Sequence, residues 1–170
     1  SMRGYDFQLP PGTYNYEQVF STIRELNLSH KNTEEQFRRM VFNILARNHD
    51  DHIKNISFIM NKKGEWSLSP AYDLCYKYTP GNIWTGNGHQ LSLNNKVDNF
   101  NLEDIKGVAD FASMKRTRWI SIYNEIKEAV QVILKHNKHL GILHCVSSYP
   151  ASVDELNLNR ITTLKVEFPK

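Results

Sequence analysis

Residues Asn48-His49-Asp50-Asp51-His52-Ile53-Lys54-Asn55 place two acids, two histidines, a lysine and two asparagines in eight positions, seven of them polar. A set this rich in acids and bases suits proton transfer and the holding of phosphate or metal. Within it, Asp50 and Asn55 have four residues between them, the D-x-x-x-x-N spacing of phosphoryl-transfer catalytic loops. The chemistry accounts for the spacing. One carboxylate accepts or orients the proton of an attacking hydroxyl, while an amide oxygen about one turn further on faces the same cavity and ligates Mg²⁺. Mg²⁺ keeps several of its waters, so one more protein oxygen suffices, and Asp73 stands where a second strand end would supply it. His52 and Lys54 are then candidates to touch phosphate oxygens.

Such side chains act only if rigid elements hold them. Tyr16, Val19, Phe20, Ile23 and Leu26 recur at three- and four-residue steps and predict a helix closed by Asn27 and Ser29. Thr33 with Gln36 reads as a capping box before Phe37, Met40, Val41, Ile44 and Leu45, predicting a second helix to about Arg47. Ile56 to Met60 and Glu65 to Ser69, joined by Asn61-Lys62-Lys63-Gly64, predict a hairpin, so the polar island lies between a buried helix and a buried strand. Pro70-Ala71-Tyr72-Asp73-Leu74 leaves the hairpin, and the Gly- and Asn-rich stretch from Thr79 to Gly88 is a loop of functional length.

Downstream, His89 to Leu93 predicts a short strand, and Asn101 caps a helix carrying Leu102, Ile105, Val108 and Phe111. A long helix from about Ser113 to Lys138 follows, with Trp119, Ile122, Tyr123, Ile126, Ala129, Val130, Ile133 and Leu134 on its apolar face and Gly141 as its stop. A last helix is predicted from about Ser152 to Lys165. Residues 1–14 read as an irregular lead-in, with Ser1-Met2 a tag remnant, and residues 15–170 as one domain. The fold class is α+β, mostly α-helical, with a small antiparallel β-hairpin.

Composition narrows the field. The chain has 170 residues, 40% hydrophobic and 23% charged, enough for one sizeable core but too few for a two-lobed enzyme. Its 21 Lys+Arg against 18 Asp+Glu leave a net charge of +3, too small an excess to argue for nucleic acid or an acidic membrane. Cys75 and Cys145 form neither a CxxC nor a Cys/His cluster, which fits a reducing, cytoplasmic setting without structural zinc or disulfides. No apolar run approaches the ~20 residues that span a bilayer.

Three segments carry a family resemblance: Phe37-Arg38-Arg39-Met40-Val41-Phe42-Asn43, the island continued as Ile56-Ser57-Phe58, and Leu68-Ser69-Pro70-Ala71-Tyr72-Asp73-Leu74. In order and spacing they resemble the C-terminal lobe of HipA-like serine/threonine kinases, the toxins of bacterial toxin–antitoxin systems. The likeness spans roughly residues 15 to 140. It implies a kinase-like lobe using Mg²⁺ with ATP as substrate, with Asp50 as catalytic base and Asn55 and Asp73 as magnesium ligands. His52, Lys54, Asn55, Tyr72 and Asp73 would adjoin the nucleotide. It further implies an N-terminal ATP-binding lobe in the same gene or a separate chain, an antitoxin partner, and a protein substrate such as an aminoacyl-tRNA synthetase. The sequence departs from the pattern at His49, where the family's usual residue is Thr, and the eukaryotic H-R-D triplet is absent.

Other readings compete. Singly, Asp50, Asn55 and Asp73 are common turn and cap residues. His49-Asp50 offers the "HD" dyad of metal phosphohydrolases, but that class continues helical and a strand-like segment follows here. Gly81 to Gly86 has P-loop spacing, yet Asn87-Gly88 stands where Lys-Ser/Thr must follow, and Leu91 stands where a G-x-G-x-x-G loop from Gly86 needs Gly. With no phosphate-covering loop or ATP-pairing lysine found, the chain alone is expected to turn over weakly or not at all. The main alternative is a non-catalytic module docking on an antitoxin or on a separate N-lobe. A small-molecule phosphotransferase shares the Asp-to-Asn spacing, although Lys115, Arg116 and Arg118 are basic where an acidic pocket is expected. That cluster reads as a solvated face, and His136, His139 and His144 as a polar helix end.

Overall fold

A helix begins most readily where a side chain caps its free N–H groups, and Asn15 does this for α1 (Tyr16–Glu25). Its side chain accepts from the Gln18 N–H, while the Gln18 side chain accepts from the Asn15 N–H. The computed structural model describes residues 10–78 and 88–135, with the side chains of positions 134 and 135 left out. Residues up to Val130 form one compact unit, and a second unit starts at Gln131.

The second helix, α2 (His30–Leu45), starts earlier than the sequence predicts. Thr33 and Gln36 do not cap it. Both lie inside the helix and are buried, because residues three apart share a helical face whether or not they form a box. α1 and α2 pack Tyr16, Val19, Phe20 and Ile23 with Phe37, Met40 and Val41. The same core takes Ile105, Val108 and Ala109 of α3 (Leu102–Phe111), and Trp119 and Ile122 of α4 (Arg116–Lys135). Burying each large side chain contributes roughly 1.5–3 kcal/mol.

Of the predicted face of α4, Trp119, Ile122 and Val130 are buried, whereas Ala129 and Ile133 are exposed. α4 starts at Arg116 rather than at Ser113, whose positive φ of 56° takes it out of helical conformation. On α3, Leu102 and Phe111 are exposed at the two ends of the predicted stripe. Lys115, Arg116 and Arg118 are exposed, and Arg118 pairs with Glu34 at 2.6 Å, which holds the guanidinium pKa above its usual value.

The strands are short. β1 (Tyr14–Asn15) pairs in parallel with β4 (Leu91–Ser92), Tyr14 against Leu91, so the predicted 89–93 strand is a two-residue element. β2 (Phe58–Met60) and β3 (Trp66–Leu68) form the predicted antiparallel hairpin in the register Phe58–Leu68, Ile59–Ser67 and Met60–Trp66. Its turn is closed by the Asn61 side chain, whose oxygen accepts from the Lys63 and Glu65 N–H groups, with Gly64 at φ 80°. The expectation of a buried strand is corrected: Ile59, Met60 and Trp66 are 43–55% exposed. Alternation marks a strand without saying what covers it. The hairpin is tied back through the Asn32 side chain, which accepts from the Leu68 N–H, and through Arg39, which donates to the Ser69 carbonyl at 2.8 Å. Residues 1–9, the loop at 79–87, Gly141, Cys145, the three late histidines and the predicted 152–165 helix lie outside the described residues.

α3 opens on the predicted cap. Asn101 accepts from the Asp104 N–H, and Asp104 accepts in return from the Asn101 N–H at 2.9 Å. Asp104 also accepts from Asn94 and from Lys96, each at 2.8 Å, tying α3 to the turn after β4. Burial opposes its ionisation, but these donors outweigh burial and lower its pKa from 3.8 to about 2. A carboxylate depressed in the folded state adds stability above its unfolded pKa, and that stability is lost as pH falls through the folded value. Unfolding free energy is therefore expected to drop between about pH 4 and pH 2. In Asp104→Asn the drop across that window should be smaller than in the parent, and Asp104→Ala should cost about 1–3 kcal/mol at neutral pH. Chemical denaturation at stepped pH measures both, and an unchanged acid limb in Asp104→Asn contradicts the assignment.

Candidate functional site

The polar island begins where α2 stops. Arg47 takes a positive φ of 53°, turning the chain out of the helix, and the Asn48 N–H donates back to the Asn43 carbonyl at 2.8 Å. The His49 N–H donates to the Lys77 carbonyl and the Lys77 N–H to the Arg47 carbonyl, which lays residues 75–77 beside the island. A single 3₁₀ turn, Ile53–Asn55, closes its other end.

Between these anchors the two adjacent aspartates part company. The Asp51 side chain is 0% exposed, whereas that of Asp50 is 45% exposed. Oδ2 of Asp51 accepts from the Tyr16 hydroxyl at 2.6 Å and lies 2.9 Å from His89 Nδ1. A carboxylate only accepts, so Nδ1 carries the proton of that bond. Oδ1 accepts from the Gln90 N–H at 2.8 Å and, at the long distance of 3.5 Å, from the Leu91 N–H. Without such donors a buried carboxylate costs several kcal/mol. Burial, followed by the Asp51 charge and hydrogen bond, pushes the Tyr16 pKa well above 10, so the phenol remains a donor.

Further links extend this network. Asn43 donates through Nδ2 to the Tyr16 oxygen at 3.2 Å, and its Oδ1 accepts from Asn48 Nδ2 at 2.9 Å. The same Asn48 Nδ2 donates to the Asp73 carbonyl at 2.8 Å. The His89 ring meets those of His49 and Phe100 in tilted contacts, at 4.7 Å and 5.3 Å between ring centroids.

The predicted site residues lie on two segments that are hydrogen-bonded to each other. Asn55 donates through Nδ2 to the Asp50 carbonyl at 2.9 Å, so that bond does not use its Oδ1. The Tyr72 hydroxyl donates to the Lys54 carbonyl at 2.7 Å, so Tyr72 and Asp73 lie against the island. His52 Nε2 stands 3.9 Å from Asp50 Oδ1. Lys54 and Asp73 are exposed, and Asp73 has a positive φ of 54°. Asn55 and Asp73 together offer only oxygen donors, the set suited to Mg²⁺. Among the described residues no group of three or more His, Cys, Asp or Glu side chains could hold a metal, and His49 of the "HD" pair is buried. Cys75 is exposed, its thiol 3.7 Å from Asn48 Oδ1, and no described helix is long and apolar enough to cross a membrane.

Sequence reasoning missed Asp51, His89, Asn43 and Asn48, and it read Tyr16 as core alone. Spacing singles out Asp50 from the Asp-Asp pair but says nothing of its neighbour's buried role. His89 joins Asp51 across 38 positions, beyond the reach of local pattern.

A family model described as HipA-like C-terminal domain matches residues 2–134. An uncharacterized protein of Methanocaldococcus jannaschii is 44% identical to the chain over 50 residues, covering 29% of this chain and 15% of that relative's length.

The contrast between the aspartates sets a stability test. Asp51→Ala strands four donors and is expected to lower unfolding free energy by ~3 kcal/mol or more, and Tyr16→Phe by ~1–2 kcal/mol. Asp50→Ala, at an exposed position, should stay within about 0.5 kcal/mol. Urea midpoints at unchanged slope measure all three, and equal losses at Asp50 and Asp51 contradict the division of labour.

Proposed function

Because the chain belongs to the HipA-like C-terminal domain family, we propose that it is the C-terminal catalytic lobe of a serine/threonine protein kinase acting with an N-terminal ATP-binding lobe. The reaction transfers the γ-phosphoryl of Mg-ATP to a protein hydroxyl, and its setting is the toxin side of a toxin–antitoxin pair. One observation carries this reading above the rest: the Tyr72–Lys54 and Asn48–Asp73 hydrogen bonds join the two segments that bear Asp50, Asn55 and Asp73. Turn-forming residues with no common task have no need of that juxtaposition.

Asp50 is the catalytic residue. Its backbone is held by Asn55 and by the buried side chain of the next residue, while its own carboxylate reaches solvent. It orients the substrate hydroxyl and takes its proton as the new O–P bond forms and the bond to the ADP oxygen breaks. Asn55 Oδ1 and the Asp73 carboxylate would hold the magnesium, which neutralises charge on the phosphate oxygens when bound. His52 and Lys54 flank the same loop as contacts for phosphate, and Tyr72 adjoins the nucleotide. Fixed position supplies much of the rate, since the loop is anchored before substrate arrives.

The test uses the full-length protein containing this chain. Asp50→Asn is expected to lower phosphoryl transfer from γ-labelled ATP by a factor of about 10²–10⁴, with Mg-ATP affinity and thermal midpoint near those of the parent. Full transfer by that variant would reject the catalytic role of Asp50, whereas absence of transfer in the parent protein itself would favour a non-catalytic docking module.

A further inference from the structure

Asn48 belongs to neither the proposed base nor the proposed ligand set, yet it is 1% exposed and placed between them. Its Nδ2 makes two bonds, to Asn43 Oδ1 at 2.9 Å and to the Asp73 carbonyl at 2.8 Å. Its backbone N–H donates to the Asn43 carbonyl, so both ends of the residue are fixed from α2. Asn43 in turn donates to the Tyr16 oxygen, whose hydroxyl donates to Asp51. A buried path of hydrogen bonds therefore runs from Asp51 through Tyr16, Asn43 and Asn48 to the backbone of Asp73.

The far end of that path is a residue with positive φ. Asp73 has a φ of 54°, in the left-handed region that L-residues enter mainly as Asn or Asp. Its side chain is exposed. The carbonyl that Asn48 grips is part of the same residue's backbone. We propose that Asn48 is a positioning residue for the proposed metal ligand: through its amide it holds the Asp73 backbone in the left-handed conformation and so presets the carboxylate that takes Mg²⁺. This rests on Asp73 being a metal ligand, as argued above, and adds the device that sets it.

The requirement is a donor at this position. An alanine removes it, and an aspartate keeps the shape while setting an oxygen against the Asp73 carbonyl and Asn43 Oδ1. Tyr16→Phe is the comparison, because it perturbs the same network two links away from Asn48 and does not touch the Asn48–Asp73 bond itself.

The measurement is binding of Mn²⁺, as a spectroscopic stand-in for Mg²⁺, to the ATP-loaded full-length protein, followed by paramagnetic resonance alongside urea stability. In Asn48→Ala the Mn²⁺ dissociation constant is expected to rise about 10–100-fold, whereas in Tyr16→Phe stability falls with the constant within about threefold of the parent. Should Asn48→Ala fail to fold, Asn48→Asp is read by the same criterion. If both network variants weaken Mn²⁺ equally, or neither does, Asn48 is only structural and the inference is overturned. Asp73→Asn separates the two levels. Unchanged Mn²⁺ binding there rejects Asp73 as a ligand and the inference with it, while loss there with normal binding in Asn48→Ala rejects the positioning role alone.

Discussion

The carboxylate of Asp51 is wholly buried, and it finds its donors in separate parts of the chain. Tyr16 comes from the start of α1, and His89 and the Gln90 and Leu91 N–H groups come from the approach to β4. Charge–donor bonds of this kind are worth roughly 1.5–3 kcal/mol each, and leaving the charge unmet costs more than any one of them returns. The fold is thereby constrained: the polar island cannot settle until α1 and the segment at 89–91 are in place. The parallel pairing of Tyr14 with Leu91 lies beside these donors in sequence and closes the same junction.

That constraint has a local consequence. With Asp51 drawn inward, the residue before it is left at the surface, and the 3₁₀ turn after it brings Asn55 back onto the Asp50 carbonyl. Helix α2 supplies the other wall. Asn43 in its last turn meets Tyr16 and Asn48, and Arg39 one turn earlier holds the Ser69 carbonyl where the chain leaves β3 for Tyr72 and Asp73. The hairpin needs little burial of its own under this arrangement. It is tied back at the end of β3, while Ile59, Met60 and Trp66 remain exposed.

Local chemistry was legible in the sequence wherever one stretch of chain decides the outcome. The apolar steps of Tyr16 to Ile23, the Asn101 cap and the turn at Asn61 to Gly64 each act within a few residues, and each has the expected structure. Thr33 and Gln36 show the limit of such reasoning, because one spacing serves both a cap and a buried face and tertiary packing chooses between them. The family match agrees with the resemblance carried by the island and its flanking segments. The Asp51 network was not legible. Its bonds span 35 and 38 positions, and nothing in the local pattern says which of two neighbouring aspartates will be buried.

How the site is held also bears on what it is free to do. Three side-chain donors secure it, Asn55 to the Asp50 carbonyl, Tyr72 to the Lys54 carbonyl and Asn48 to the Asp73 carbonyl, and every acceptor is a backbone oxygen. Had the carboxylates of Asp50 and Asp73 been the acceptors, the groups proposed to meet a hydroxyl and a cation would already be committed to neighbours. The charges that serve architecture are treated oppositely: Asp51 and Asp104 are buried and take their donors on the carboxylate itself. Fixing a loop through its carbonyls costs nothing in ligand capacity, since each carbonyl oxygen must find a donor in any folded loop. The chain thus separates acids buried within the structure from acids whose carboxylates are exposed, and within the island that separation falls between two adjacent residues.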